Sequence, residues 1–223
     1  MARLYIICGH GGKPYDPGAC GNGYQEAERV RALASRLKAL GGSNVEVLDT
    51  SRNWYADNGI SSLSIPSGAC LLELHMDSAA ASARGGHVII KSGFGADKYD
   101  NALAKFISGY FPGRSTILAK RSDLANVNRA AARGINYRLL ECCFISNAQD
   151  LAKFNANIDE VAKGILKAFD IAVTATTNNT AASSGKHAAL YRVQVGAFSN
   201  KANAEKLAAE LKAKGYSTII KTE

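Results

Sequence analysis

Three apolar runs, each ending on a polar residue, constrain this chain most. They read Ile6-Ile7-Cys8-Gly9-His10, Ala69-Cys70-Leu71-Leu72-Glu73-Leu74-His75 and Tyr137-Arg138-Leu139-Leu140-Glu141. Each is short for a helix and apolar enough for a strand covered on both faces. Segments of helical period lie between them. The clearest covers 24–41, where Val30, Leu33, Ala34, Leu37 and Leu40 form one stripe and Gly41-Gly42 ends it. Strands alternating with helices predict an α/β fold, a largely parallel twisted sheet flanked by helices in three layers. The pattern places strands near 3–9, 44–50, 69–77, 85–92, 115–120 and 135–145. It places helices near 24–41, 96–111, 123–132 and 157–172.

Composition then changes. Residues 174–187 are small and polar without periodicity, which predicts a flexible linker. An alternating strand follows at 190–198, then a helix carrying Ala202, Ala204, Leu207, Ala208 and Leu211, then a strand at 216–220. This small β-α-β unit is too short for a core of its own. The organisation expected is a main domain at 1–173, a linker at 174–187 and a small unit at 188–223.

The net charge of +8 suits anionic surroundings such as a cell-wall polymer. Basic residues are spread along the chain without a dense block or interleaved aromatics, so nucleic-acid binding is not expected. If charge holds the chain on a wall, retention weakens steeply with salt. The five cysteines include adjacent Cys142 and Cys143 and no CxxC spacing, which reads as reduced thiols. Met1 to Ile7 enters a strand directly, so no signal peptide is expected, and no apolar run approaches the roughly 20 residues of a membrane span. Synthesis in the cytoplasm follows as the expectation.

In open α/β sheets ligands gather at the carboxyl ends of strands. His10 and His75 stand at two such ends. Each alone reads equally as a turn histidine or a hydrogen-bonded core histidine. His87 and His187 have weaker contexts and are not expected to bind metal. Glu26 and Glu28 both open the helix at 24–41, where a carboxylate suits the dipole. Extending the apolar stripe back one turn from Val30 reaches Glu26, so Glu26 faces the sheet and needs a partner there. Glu141 lies in an apolar stretch, where a carboxylate serves either chemistry or an ion pair with an arginine. Glu73 is two residues before His75, on the same strand face, and is placed to orient a histidine. Two histidines with a carboxylate are a common ligand set for catalytic zinc, and a further carboxylate can act as general base. Metal-assisted hydrolysis is the chemistry this combination points to.

Gly9-His10-Gly11-Gly12, the stretch ending at Glu26, the strand-end His75 and Leu140-Glu141-Cys142-Cys143-Phe144-Ile145-Ser146-Asn147 together resemble the zinc-dependent N-acetylmuramoyl-L-alanine amidases. The likeness is greatest to phage endolysin catalytic domains and covers about residues 1–172. It implies one catalytic Zn2+ on His10, Glu26 and His75, with Glu141 as the catalytic glutamate. It also implies peptidoglycan as substrate, action at the cell wall, and release through a separate membrane-permeabilising partner such as a holin. The family's usual Ser-x-His-x-Asn segment reads here Glu73-Leu74-His75-Met76-Asp77. Glu73, Asp77, Gly11 and Asn147 are therefore candidates for ligand support or substrate contact. Tyr191 to Ser199 resembles the start of a SPOR peptidoglycan-binding domain, with one of its two usual β-α-β halves present. The residues also admit a zinc peptidase acting on peptides, or a wall-binding protein that needs no metal.

Overall fold

The computed structural model describes residues 3–174, together with 195, 196, 198, 200–213, 218 and 220. Its elements run β1 (Leu4–Cys8), β2 (Cys20–Gly21), β3 (Tyr24–Gln25), α1 (Glu26–Gly41), β4 (Val45–Val47), β5 (Cys70–Asp77), β6 (His87–Lys91), α2 (Lys98–Tyr110), β7 (Leu118–Arg121), α3 (Ala125–Ala132), β8 (Asn136–Phe144), α4 (Ala148–Ala156), α5 (Ile158–Ala168) and α6 (Lys201–Ala213). The chain divides into two units, Met1–Asn178 and Asn179–Glu223.

The first unit is built on a six-stranded sheet of order β4-β1-β5-β8-β6-β7. Strands β4, β1, β5 and β8 are mutually parallel. Strand β6 runs antiparallel to β8, and β7 is parallel to β6. The period of two along each strand sorts side chains onto two cores. Leu4, Ile6, Leu72, Leu74 and Leu140 face a core shared with Val30, Leu33 and Leu37 of α1, Leu103 and Ile107 of α2, Phe154 of α4 and Ile165 of α5. Tyr5, Ile7, Leu71, Tyr137 and Leu139 face a smaller core closed by Trp54, Ile60 and Val127 and Ala130 of α3. The sheet is thus sandwiched between helices, as the alternating pattern predicts, with far heavier cover on one face.

Arg138 is fully buried between the layers. It donates to Asp100 Oδ1 at 2.8 Å and to Asp97 Oδ2 at 3.1 Å, pinning the start of α2 to β8. Asp97 also caps α2, accepting from the amides of Tyr99 and Asp100.

The main departures are local. The strand expected at 44–50 is confined to Val45–Val47, and that at 115–120 begins at Leu118. Helix α4 was not anticipated. Asn147 caps it by accepting from Gln149 and Asp150, and Leu151 and Phe154 anchor it in the core. In the second unit α6 matches the expected helix. The linker, apart from Thr174, and most of the flanking strands expected at 190–198 and 216–220 lie outside the described residues. No helix among the described residues is long and apolar enough to cross a membrane.

Candidate metal centre and catalytic site

Four parallel strands end on the same side of the sheet, and the candidate residues collect there. Gly9 continues from β1 and donates its amide to Leu74 O at 2.9 Å. A side chain at Gly9 would collide with the His75 ring, its Cβ falling 2.5 Å from Nε2 and 2.6 Å from Nδ1. Glycine here is what lets the imidazole sit across the end of β1. His10, Gly11 and Gly12 follow with φ of 57°, 63° and 68°. Three left-handed residues in succession turn the chain sharply, and for the histidine that conformation costs about 1–2 kcal/mol.

Arg31 on α1 holds this turn. Its guanidinium donates to His10 O and Ala27 O at 2.9 Å, to Thr50 O at 2.9 and 3.2 Å, and to Gly9 O at 3.5 Å. A side chain at Gly11 would strike that guanidinium. Gly11 therefore shapes the turn by giving room to Arg31. Asp16 closes the loop, accepting from Gly11 N through its carbonyl at 2.5 Å and lying 2.7 Å from His10 Nδ1 through Oδ2.

The turn delivers His10 Nε2 to 3.3 Å from Glu26 Oε2. His75 Nδ1 lies 2.9 Å from Glu26 Oε1, so the carboxylate sits between the two imidazoles. Glu26 is the first residue of α1 and only 2% exposed, while Glu28 is exposed, as the helix phase predicts. Its carboxylate also accepts from the amides of Ala19 and Met76, each at 2.9 Å. One donor atom from each of His10, Glu26 and His75 falls within 4.8 Å of the others. Two imidazoles and a buried carboxylate are a donor set that suits zinc, and three converging protein donors leave a position for water or substrate.

Charge in this cluster is tightly coupled. Burial alone would push Glu26 up, but its hydrogen bond with His75 and the charge of both histidines hold it below the ordinary carboxylate value. Burial works against a charged His75, yet hydrogen bonds to Glu26 and Glu73 raise it well above 6.5. Glu141 is directly opposite His75 in the β5–β8 register and opposite His87 in the β6–β8 register. The β5–β8 register is irregular between His75 and Asp77, a placement common beside active sites. Burial, with Glu26 and Glu73 nearby, pushes the Glu141 carboxyl up to about 7 against the pull of His75 and Arg114. Its Oε2 is buried without a hydrogen-bond partner.

Glu73 is 3% exposed, and its Oε1 is 3.1 Å from His75 Nε2. Asp77 is taken by an ion pair with Arg114, which also reaches His87 Nε2 at 3.4 Å. His87 stands outside the ligand cluster. Asn147 has its side chain occupied by backbone, capping α4 and donating to Ala81 O at 2.8 Å. It thereby shapes the loop beside the site. All five cysteines are free thiols, and Cys8, Cys70, Cys142 and Cys143 are buried. Sequence reading missed Asp16, Arg31 and Arg114, since each serves through a fold contact that no local spacing announces.

Comparison with known proteins gives the family and the fold. Residues 4–170 match the family model for N-acetylmuramoyl-L-alanine amidase, and residues 188–223 match that for the SPOR domain. The probable autolysin PH of Staphylococcus aureus is 34% identical over 180 residues, covering 72% of this chain but only 37% of that protein. The N-acetylmuramoyl-L-alanine amidase CwlM of Bacillus licheniformis is 30% identical over 250 aligned positions, covering 99% of this chain and 85% of that one. Among solved structures, the catalytic domain of the CD27L endolysin targeting Clostridia difficile superposes with a TM-score of 0.62 at 17% identity, over 78% of this chain and all of that one. The N-acetylmuramoyl-L-alanine amidase of Clostridium difficile 630 gives 0.57 at 19% identity, over 75% and 95%. These two share the fold. With the family model covering the whole sheet and every residue of the site, this chain belongs to the N-acetylmuramoyl-L-alanine amidase family.

Proposed function

We propose that this chain is a zinc-dependent hydrolase that cleaves the amide bond between N-acetylmuramic acid and L-alanine in peptidoglycan. The observation that carries the reading is Glu141, a carboxylate with a buried, unpartnered oxygen placed directly across from His75 of the His10–Glu26–His75 cluster. His10, Glu26 and His75 would hold the metal. When bound, zinc supplies Lewis acidity to the reacting water and to the scissile carbonyl. Glu141 accepts the proton of the attacking water and passes it to the nitrogen of the departing L-alanine. A new carbon–oxygen bond replaces the carbon–nitrogen bond, and the proton leaves Glu141 as the amine departs. In the metal-free protein the flanking histidines and the amides of Ala19 and Met76 hold Glu26 ionised, and a bound cation would take over from the histidines.

Digestion of purified peptidoglycan tests the reading. Chelator-sensitive release of L-alanine amino groups, without new reducing sugar ends, is the expected result. Release of amino groups from within the peptides instead would make the chain a peptidase. Glu141→Ala is expected to keep zinc and lose activity, whereas His10→Ala loses both. A Glu141→Ala rate close to that of the parent would remove the assigned role.

The proposal extends to a lytic role. The chain would be made in the cytoplasm and reach the wall through a holin-like partner, with the unit at 188–223 contributing wall contact. Expression in a bacterial host should lyse cells only when such a permeabilising protein is co-produced. Lysis by the chain alone would overturn the need for one.

A further inference from the structure

The two candidate ligand histidines meet the cluster through different nitrogens. His10 turns Nε2 toward Glu26 at 3.3 Å, and its Nδ1 lies 2.7 Å from Asp16. His75 turns Nδ1 toward Glu26 at 2.9 Å, and its Nε2 lies 3.1 Å from Glu73. A metal-bound imidazole donates its other N–H to an outer partner, and that partner decides which nitrogen is left for the metal.

Both outer carboxylates are themselves fixed. Asp16 accepts from Gly18 N at 2.9 Å through Oδ1, and its backbone oxygen accepts from Gly11 N at 2.5 Å. Its carboxylate is thus tied to the same loop that carries His10. Glu73 is buried on the α3 side of the sheet, where Asn126 Nδ2 donates to Oε1 at 2.9 Å and the Tyr137 hydroxyl donates to Oε2. Asn126 is held in turn by Arg129, which donates to its Oδ1 at 2.7 Å. A buried carboxylate held by a separate donor on each oxygen has one orientation available, so its demand on His75 is directional.

We propose that Asp16 and Glu73 are positioning residues that commit the pair to opposite ligation modes, His10 through Nε2 and His75 through Nδ1. Glu73 acts with Tyr137 and Asn126 as one clamp. This inference rests on the zinc reading above, and it concerns the segment Glu73-Leu74-His75, where this chain carries a carboxylate two residues before its ligand. Asp16 accepts the Nδ1–H of His10, and Glu73 accepts the Nε2–H of His75. Removing either partner frees its ring to present the wrong nitrogen or to turn away from Glu26.

The test uses the full chain labelled with nitrogen-15 at histidine and loaded with zinc. Imidazole nitrogen shifts are expected to show a metal-bound Nε2 and protonated Nδ1 for His10, with the reverse pattern for His75. Zinc affinity, read by competition with a chromogenic chelator, is expected to fall about 10- to 100-fold in Asp16→Ala and in Glu73→Gln. Tyr137→Phe keeps the ring and removes one donor, so its zinc affinity should fall by a smaller factor, while its metal-free melting temperature drops by about 3–12 °C because Glu73 Oε2 is left without that donor. Asp16 is partly exposed on a loop, which makes Asp16→Ala the variant safest for folding. One zinc bound through the other nitrogens, or Asp16→Ala and Tyr137→Phe both within threefold of the parent affinity, would overturn the proposal while leaving the zinc site standing. No zinc binding by the parent chain would instead remove the metal reading and this inference with it.

Discussion

Gly9→Ala should dismantle the metal site without unfolding the sheet. The new Cβ would stand 2.5 Å from His75 Nε2 and 2.6 Å from Nδ1. Ordinary heavy-atom contact is about 3.5 Å, so the ring must retreat by about 1 Å. It has nowhere to retreat with its bonds intact. Glu26 holds one nitrogen and Glu73 the other, and those carboxylates are 2% and 3% exposed and hydrogen-bonded elsewhere. The variant therefore gives up at least one bond to a charged partner, worth about 1.5–3 kcal/mol. For a domain of this size that lowers the metal-free melting temperature by about 3–12 °C. On the proposed zinc reading, metal affinity suffers more. A site reduced from three protein ligands to two should lose more than the roughly 10- to 100-fold that removal of an outer partner costs. Gly109→Ala is the control, since its Cβ meets nothing within 4 Å and it lies inside α2, where alanine stabilises by up to about 1 kcal/mol. Thermal melts of the metal-free protein and chelator competition measure the two effects. Gly9→Ala with parental zinc affinity and melting temperature would refute the placement of His75.

The remaining expectations concern stability. His87 is buried at the start of β6, and burial first, then Arg121, lowers it to about 4. Below 6.5 the unfolded chain takes up a proton that the folded chain refuses, so stability falls as pH drops from about 6.5 toward 4. The full loss is about 3 kcal/mol at 1.36 kcal/mol per unit. Denaturant melts across that window should show the slope, and His87→Gln should flatten it; an unchanged slope would assign it to other groups. Arg31→Met removes five donor contacts to backbone carbonyls and should destabilise the chain by about 2 kcal/mol. Its zinc affinity should fall as well, because the left-handed His10 turn loses its brace. A variant with parental stability would mean water replaces the guanidinium without cost.

Legibility in the sequence followed from how local each signal is. The runs ending at His10 and His75 and the run through Glu141 read as strands because a strand covered on both faces is apolar at every position. The phase of α1 was enough to prefer Glu26 over Glu28, since one turn of helix fixes which carboxylate enters the core. The reversed direction of β6 was not legible, because an apolar pentapeptide has the same pattern in either direction. Helix α4 is not legible because Ser146-Asn147 reads as part of a site motif, while Asn147 is its cap. Asp16 and Arg31 carry no periodicity at all. Their roles arise where a loop folds back on itself and where a helix passes a strand end, contacts that no hydrophobic spacing announces.

The pH dependence of the reaction follows from the balance of charge around Glu141. Burial raises it most, Glu26 and Glu73 add to that, and His75 and Arg114 pull against them, so the carboxyl reaches about 7 in the metal-free protein. A general base must be ionised, so activity falls as the pH drops below the value at which Glu141 takes up its proton. A divalent cation on His10, Glu26 and His75 adds positive charge nearby and draws the Glu141 carboxyl downward. The acid limb of kcat/KM for the zinc-loaded enzyme should therefore lie below about 7. Arg114 also pulls Glu141 down, so Arg114→Met should move that limb upward. A parent profile whose acid limb lies above 7, or one that Arg114→Met moves downward, would mean that another group takes the proton. The four carboxylates of the cluster, Asp16, Glu26, Glu73 and Glu141, thus divide the work by what faces them. Glu26 meets both histidines, Asp16 and Glu73 meet their outer nitrogens, and Glu141 alone keeps an oxygen free for the proton.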